Sequence, residues 1–179
     1  TAAIETVCEV TLRAAGSTYE DNIFIQTAEH KEPHYVIGQD LVKAGVNTAL
    51  PQLWVNRYDT RLAVSTTEAV NGTYDYPLTL NIPQTGEYTI SSQTSETLYL
   101  TLNGSPVWNL GYGAYTATFE QGMTNEYGLR LVGSKAPQTA TGLGDVQGDN
   151  VQCTKVLRDG VLYILRGNNV YTIDGQLVK

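Results

Sequence analysis

Apolar and polar side chains alternate over short stretches along most of the chain. A period of two places successive residues on opposite faces of a strand. In YPLTLNI, Leu78, Leu80 and Ile82 fall on one face, and Thr79 and Asn81 on the other. Pro83 and Gly86 interrupt the pattern, and EYTIS resumes it with Tyr88 and Ile90 inward. Leu98, Leu100 and Leu102 follow, running into Asn103-Gly104, the strongest short hairpin signal in the chain. YTATF puts Tyr115, Ala117 and Phe119 inward, and YGLRLV puts Leu129 and Leu131 inward. Nearer the start, DNIFIQT, LWVNRY and RLAVS read as strands, and in IETVCEVTLR the residues Ile4, Cys8, Val10 and Leu12 share a face opposite Glu5, Glu9 and Arg13. The one helical signal is GQDLVKAG, where Asp40 would cap a single turn that Gly45 stops. Short strands at even spacing between Gly, Pro and Asn turns predict an all-β fold, an antiparallel β-sandwich of jelly-roll or Ig-like type.

The pattern breaks at Lys135. APQTATGLGDVQGDN carries almost no large apolar residue and reads as a linker. The expected organisation is a sandwich over 1–135, a linker over 136–153 and a short C-terminal β-meander over 154–179. In the meander, VLYILR and VYTI are strands between turns at Asp159-Gly160, Gly167-Asn168-Asn169 and Asp174-Gly175. Two or three short strands are marginal alone in water, so the face holding Leu162 and Ile164 is expected to pack on a host.

Composition narrows the function classes. Charged residues make up 16% of the 179, below the ~25% usual for soluble domains, and the net charge of −7 comes with no basic run. A phosphate backbone would be repelled, so nucleic acid is not an expected partner. No apolar stretch approaches the ~20 residues a membrane-spanning helix needs, so no membrane span is expected. The only methionine is Met123; the chain is expected to begin after a processing site or another cut, and its first residue says nothing of targeting. Two cysteines, Cys8 and Cys153, are too few for a disulfide scaffold or a zinc cluster. Either Cys8 is a buried thiol acting as a small hydrophobe, or it bridges to Cys153.

The tail carries a more specific pattern. Lys155-Val156-Leu157-Arg158, Gly160, Leu162-Tyr163-Ile164-Leu165-Arg166, Tyr171 and the ending Gly175-Gln176-Leu177-Val178-Lys179 resemble the C-terminal sorting segment of surface proteins from the Bacteroidetes. There the pattern is a lysine, an apolar pair and a turn, an LYIL-like strand, a Tyr strand and a GQ-x-x-K-like end. The resemblance implies a type IX secretion-like address, secretion machinery or a cell-surface anchor as partner, and a secreted or outer-membrane-surface location. Upstream, Asp21-Asn22-Ile23-Phe24, Gly38-Gln39-Asp40-Leu41 with Lys43, Pro51-Gln52-Leu53-Trp54, Arg61-Leu62-Ala63-Val64 and Gly86-Glu87-Tyr88-Thr89-Ile90 resemble the β-sandwich region that precedes such tails. The likeness spans most of 20–179 and implies no catalytic residue, since activity in such proteins usually sits in a domain further N-terminal.

The residues themselves add few candidates for chemistry. His30 and His34 lie four apart, a metal-binding interval on a helix, but Pro33 between them argues for a surface loop. Neither a nucleophile elbow nor a phosphate-binding P-loop occurs. Glu20-Asp21-Asn22 and Asp145, Asp149 and Asn150 supply oxygens of the kind calcium takes, although turn chemistry accounts for Asp and Asn equally well. No other metal or cofactor is expected. Asn71-Gly72-Thr73 matches a glycosylation sequon and reads as a turn. Trp54, Trp108, Tyr112 and Tyr115 would suit stacking on sugar rings, or would close the ends of a sandwich core. The reading that follows is a non-catalytic structural and sorting module. The alternative is a carbohydrate-binding or adhesin-like module using Trp108, Tyr112 and Tyr115 at the sandwich edge.

Overall fold

The computed structural model describes residues 4–68, 71–134, 153–158, 161–166, 169–172 and 178; of Asn71, Ser134 and the strands beyond 150 it describes the backbone. The chain forms two compact units, Thr1–Gln138 and Thr139–Lys179. The described residues are all-β, with no helix. In the first unit the strands are β1 (Ile4–Ala14), β2 (Glu20–Ala28), β3 (Leu41–Val42), β4 (Gln52–Arg57), β5 (Thr60–Glu68) and β6 (Asn71–Ile82). They continue with β7 (Gly86–Gln93), β8 (Thr97–Leu102), β9 (Ser105–Asn109), β10 (Tyr115–Phe119), β11 (Gly122–Thr124) and β12 (Tyr127–Ser134).

These twelve make one sheet, ordered β10-β7-β1-β2-β5-β4-β6-β12-β8-β9, with β3 on β5 and β11 on β6. The long β6 is the pivot. Its first half pairs with β12, and its second half pairs with β4 on one edge and β11 on the other. The end strands β10 and β9 approach through the rings of Tyr115 and Trp108, 6.5 Å between centroids, which brings the sheet near closure into a barrel. The sheet is mixed and not purely antiparallel, because β2 and β5 run parallel. A parallel pair needs a long crossover, and the segment 29–59, which includes β3 and β4, supplies it.

Alternation works as expected where both flanking strands are present. Cys8, Val10 and Leu12 of β1, Ile23 and Ile25 of β2, Leu78 and Leu80 of β6, Ile90 of β7, and Leu98 and Leu100 of β8 are wholly buried in a single core. Each large apolar side chain so buried contributes roughly 1.5–3 kcal/mol. Leu129 and Leu131 of β12 join them, with Tyr115 and Ala117 half-buried against the cluster.

Three expectations need correction. Ile4 does not share the Cys8 face: the β1–β2 register shifts between Ile4 and Thr6, and Ile4 is exposed. Leu102 is only half-buried, since the chain leaves the sheet at the next residue. Thr79 and Asn81 lie opposite Leu78 and Leu80 as expected, and are buried as well. Asn81 Nδ2 donates to Leu50 O at 2.8 Å and Asn56 Nδ2 to Thr79 Oγ1 at 2.8 Å. GQDLVKAG forms no helix: Leu41 and Val42 add a two-residue strand to β5, and Asp40 is buried in an ion pair. That segment holds too few apolar residues at helical spacing to cover a helix face.

In the second unit β13 (Cys153–Arg158), β14 (Val161–Arg166) and β15 (Asn169–Thr172) form an antiparallel three-stranded sheet. Arg158 faces Val161, and Arg166 faces Asn169. The linker, the expected turns at 159–160, 167–168 and 174–175, the burial of Leu162 and Ile164, and Gly160, Gly175 and Gln176 lie outside the described residues.

Candidate functional site

Two places in the first unit gather aromatic and polar side chains near solvent. The first is the junction of β9 and β10. Leu110 is buried and its amide donates to Leu98 O at 2.8 Å, so the connecting loop is pinned at its start. Asn109 Oδ1 then accepts from the Gly111 amide at 2.9 Å, and the Tyr112 amide donates to Asn109 O at 3.1 Å. The Trp108 indole donates from Nε1 to Gly113 O at 3.0 Å. This tie fixes the ring while leaving 43% of the residue exposed. Tyr112 stands clear at 88% exposure. Tyr115 turns the other way, half-buried beside Tyr127, whose phenol is pushed up chiefly by burial and further by Tyr115. The three residues picked from the sequence therefore do not form one platform. Ring contact joins Trp108 to Tyr115, and Tyr112 projects alone.

Trp54, the fourth aromatic, is buried; its Nε1 donates to Asn56 Oδ1 at 3.2 Å and Arg61 lies over its ring.

The second place was not legible in the sequence. At the β4–β5 turn a cleft of about 520 Å³ opens, with Arg57, Tyr58, Tyr74 and Pro33 among its walls and Glu32 and Glu68 at its rim. Arg57 ends β4. Its guanidinium carbon lies 4.6 Å from the Tyr58 ring centre, 5.1 Å from that of Tyr74 and 6.0 Å from that of Tyr76. Nη1 donates to Ser65 Oγ at 3.0 Å and Thr66 O at 3.2 Å, and Nη2 to Tyr74 OH at 2.7 Å. No carboxylate of the described residues lies in ion-pair reach of this arginine.

Lys31 is different. Its ammonium sits 5.4 Å from the Tyr58 ring centre, is bound to Asp40 at 3.0 Å and donates to Glu32 O and His34 O. That pair is buried, and Asp40 also accepts from the amides of Val36 and Thr66 at 2.9 and 2.8 Å. Lysine charge and donors are thus consumed inside the protein. Beneath the cleft Tyr76 shares a 2.6 Å hydrogen bond with Thr67. Burial holds its phenol protonated far above the usual range, and the Thr67 bond only partly opposes this. The hydroxyl of Tyr58 is buried with no hydrogen-bond partner among the described residues.

The remaining candidates are placed as follows. Cys8 is a free buried thiol sharing a 2.9 Å hydrogen bond with Thr94 Oγ1; burial raises its pKa and Thr94 opposes the rise. The side chain of Cys153 lies outside the description. Glu20, Asp21 and Asn22 do not converge on a common point. Lys43 takes both Asp21 oxygens at 2.6 and 2.7 Å, the Leu53 amide donates to one of them at 2.8 Å, and Asn22 Nδ2 donates to Glu9 at 2.6 Å. Asp145, Asp149 and Asn150 lie outside the described residues, among which no three acidic, Cys or His side chains are grouped to hold a metal. His30 and His34 are exposed in the loop after β2, and His30 has a positive φ of 55°. Gly72, within the sequon, lies in β6 and not in a turn. No helix of the described residues is long and apolar enough to cross a membrane.

Compared with protein-family models, with curated proteins and with solved structures, the chain matches none.

Sequence reasoning missed the cleft because its parts come from four segments. Only Tyr74 and Tyr76, two apart on β6, carry a local signal, and alternation alone reads that pair as core.

Proposed function

We propose that the chain is a non-catalytic structural and sorting module of a secreted or cell-surface bacterial protein. The first unit is the folded body and the second the address. One observation carries the reading: the residues that resemble a type IX secretion-like sorting segment coincide with a compact antiparallel sheet of its own. Lys155 to Arg158 fall in β13, Leu162 to Arg166 in β14 and Tyr171 in β15. A short sheet with two edges offers unpaired backbone to a partner strand, which suits recognition by secretion machinery or a surface anchor. In this reading the first unit is a sandwich of jelly-roll type whose two halves meet along β6. The test is deletion of 153–179 from the parent protein in its native host. The expected result is a body of unchanged strand content by circular dichroism that no longer reaches the surface. Surface delivery without the tail would end the sorting reading. Turnover of a polysaccharide or peptide by the chain, lost on changing Asp145 or Asp149, would end the non-catalytic one.

A second reading, carbohydrate contact at the β9–β10 edge, is favoured by the exposure of Trp108 and Tyr112 and by the hydrogen bond that holds the indole. An ordered aromatic face costs little entropy when a sugar stacks on it. Glycan-array binding that disappears in Trp108→Ala is the expected result, and unchanged binding in that variant would remove the edge from consideration.

A further inference from the structure

We propose that the cleft at the β4–β5 turn binds a carboxylate-bearing saccharide of the uronic-acid type, with Arg57 taking the carboxylate and the tyrosine and proline walls taking the ring. The inference does not rest on the sorting reading, and it concerns a different place from the Trp108 edge.

The cation is the first argument. Arg57 uses three of its five N–H donors on Ser65, Thr66 and Tyr74. One donor on Nε and one on Nη2 are without a hydrogen-bond partner among the described residues. Arg130 shows what that pair of nitrogens does elsewhere in the molecule: its Nε and Nη2 hold the Asp75 carboxylate at 2.7 and 2.9 Å. A carboxylate on Arg57 would take the Nε and Nη2 protons that remain, in the plane of a guanidinium that an ammonium does not offer. The nearby Lys31 offers no competing charge, since Asp40 already neutralises it.

The walls are the second. Tyr58, Tyr74 and Pro33 line the cleft, and its volume of about 520 Å³ falls in the ~300–1,000 Å³ range of small-molecule sites. Glu32 and Glu68 at the rim are exposed. They would repel a densely charged chain but accept hydrogen bonds from hydroxyl groups. One carboxylate plus several hydroxyls on a ring is the chemistry of a uronic acid. A peptide carboxylate would meet the arginine without bringing a ring of hydroxyls to the glutamates.

The third argument is strain. Tyr58 and Asp59 both hold left-handed backbone, φ 54° and 51°, a conformation that Asp tolerates and that is disfavoured for Tyr. An Asn-Gly pair would make the same turn at less cost, but would remove the ring that walls the cleft and covers Arg57.

The test is calorimetry on the full 179-residue chain with glucuronate and galacturonate oligosaccharides, their carboxyl-reduced neutral counterparts, and a tripeptide with a free C-terminus. The acidic sugars are expected to bind, the neutral ones about tenfold or more weaker, and the peptide no better than the neutral sugars. Arg57→Lys should lose about tenfold or more, whereas Arg130→Gln, which removes a positive charge outside the cleft, should bind as the parent does. If Arg57→Lys does not fold, Tyr58→Leu replaces it, with about a tenfold loss expected from removal of the aromatic face. Equal binding of acidic and neutral sugars, a peptide that binds as tightly as the uronate, no binding of any acidic sugar, or equal loss in Arg130→Gln would each overturn the proposal.

Discussion

The β8–β9 hairpin turns at Asn103-Gly104 and the β4–β5 hairpin at Tyr58-Asp59. All four residues have positive φ: 50° and 79° at Asn103 and Gly104, 54° and 51° at Tyr58 and Asp59. In each case the flanking residues pair across two loop residues, Leu102 with Ser105 and Arg57 with Thr60. This is the primed two-residue turn whose twist matches that of its strands. The backbone is the same and the means of holding it differ. Asn and Gly enter that region at little cost, so the first turn is determined locally. Tyr does not, and the second turn persists because the cations of Arg57 and Lys31 both lie over the Tyr58 ring. A local rule broken at a place where a cleft meets an arginine with no carboxylate and a hydroxyl with no partner among the described residues marks tertiary structure overriding local preference.

The comparison can be broken most severely at Arg57. Arg57→Ala removes three hydrogen bonds from a charged group and the cover of three tyrosine rings, and should destabilise the domain by about 2–3 kcal/mol. Equilibrium urea unfolding checks this, and a change below about 0.5 kcal/mol would mean that the arginine does not hold the turn. The converse substitution attacks the local turn. Gly104 has φ 79°, so Gly104→Ala should cost about 1 kcal/mol, with the loss read in the same unfolding curves.

Asp59→Gly sharpens the contrast in the other direction. Asp59 is exposed and its backbone is left-handed, so glycine there should raise stability by about 0.5 kcal/mol, seen as an increase in Tm. A loss would show that the aspartate side chain itself supports the turn. The smallest effect concerns Arg130, the arginine that has its carboxylate. The Arg130 hydrogen bond lowers the Asp75 pKa below the ordinary aspartate value. Its stabilisation is therefore present above the unfolded-state pKa and fades as pH falls through the lowered folded-state value. Asp75 is 58% exposed at the side chain, so the effect is weak and screened by salt. The difference in unfolding midpoint between the parent and Asp75→Asn should shrink on acidification and in 1 M NaCl, where the screening length is about 3 Å.

Where alternation met a flanking strand on each side, the pattern of the chain carried the fold: Leu78, Leu80, Ile90, Leu98, Leu100, Leu129 and Leu131 are core residues as the period of two requires. Where the ladder was irregular, the same rule failed, as at Ile4. The candidate site divides similarly. The exposure of Trp108 and Tyr112 at an edge strand follows from a short segment and a glycine-rich loop. The cleft needs Lys31, Arg57, Tyr58 and Tyr74 side by side, and no periodicity links those positions.

By itself the sequence determined the all-β character, the strand faces and the Asn103-Gly104 turn, because these follow from steric preferences within a few residues. Only the tertiary structure decided that β2 and β5 run parallel, that β6 joins both parts of the sheet, that Asp40 is buried against Lys31 instead of capping a helix, and that Arg57 lies among tyrosines. Each of those depends on contacts between segments far apart in the chain, where the free energy of burial and of satisfying buried polar groups outweighs the local preference of any one residue.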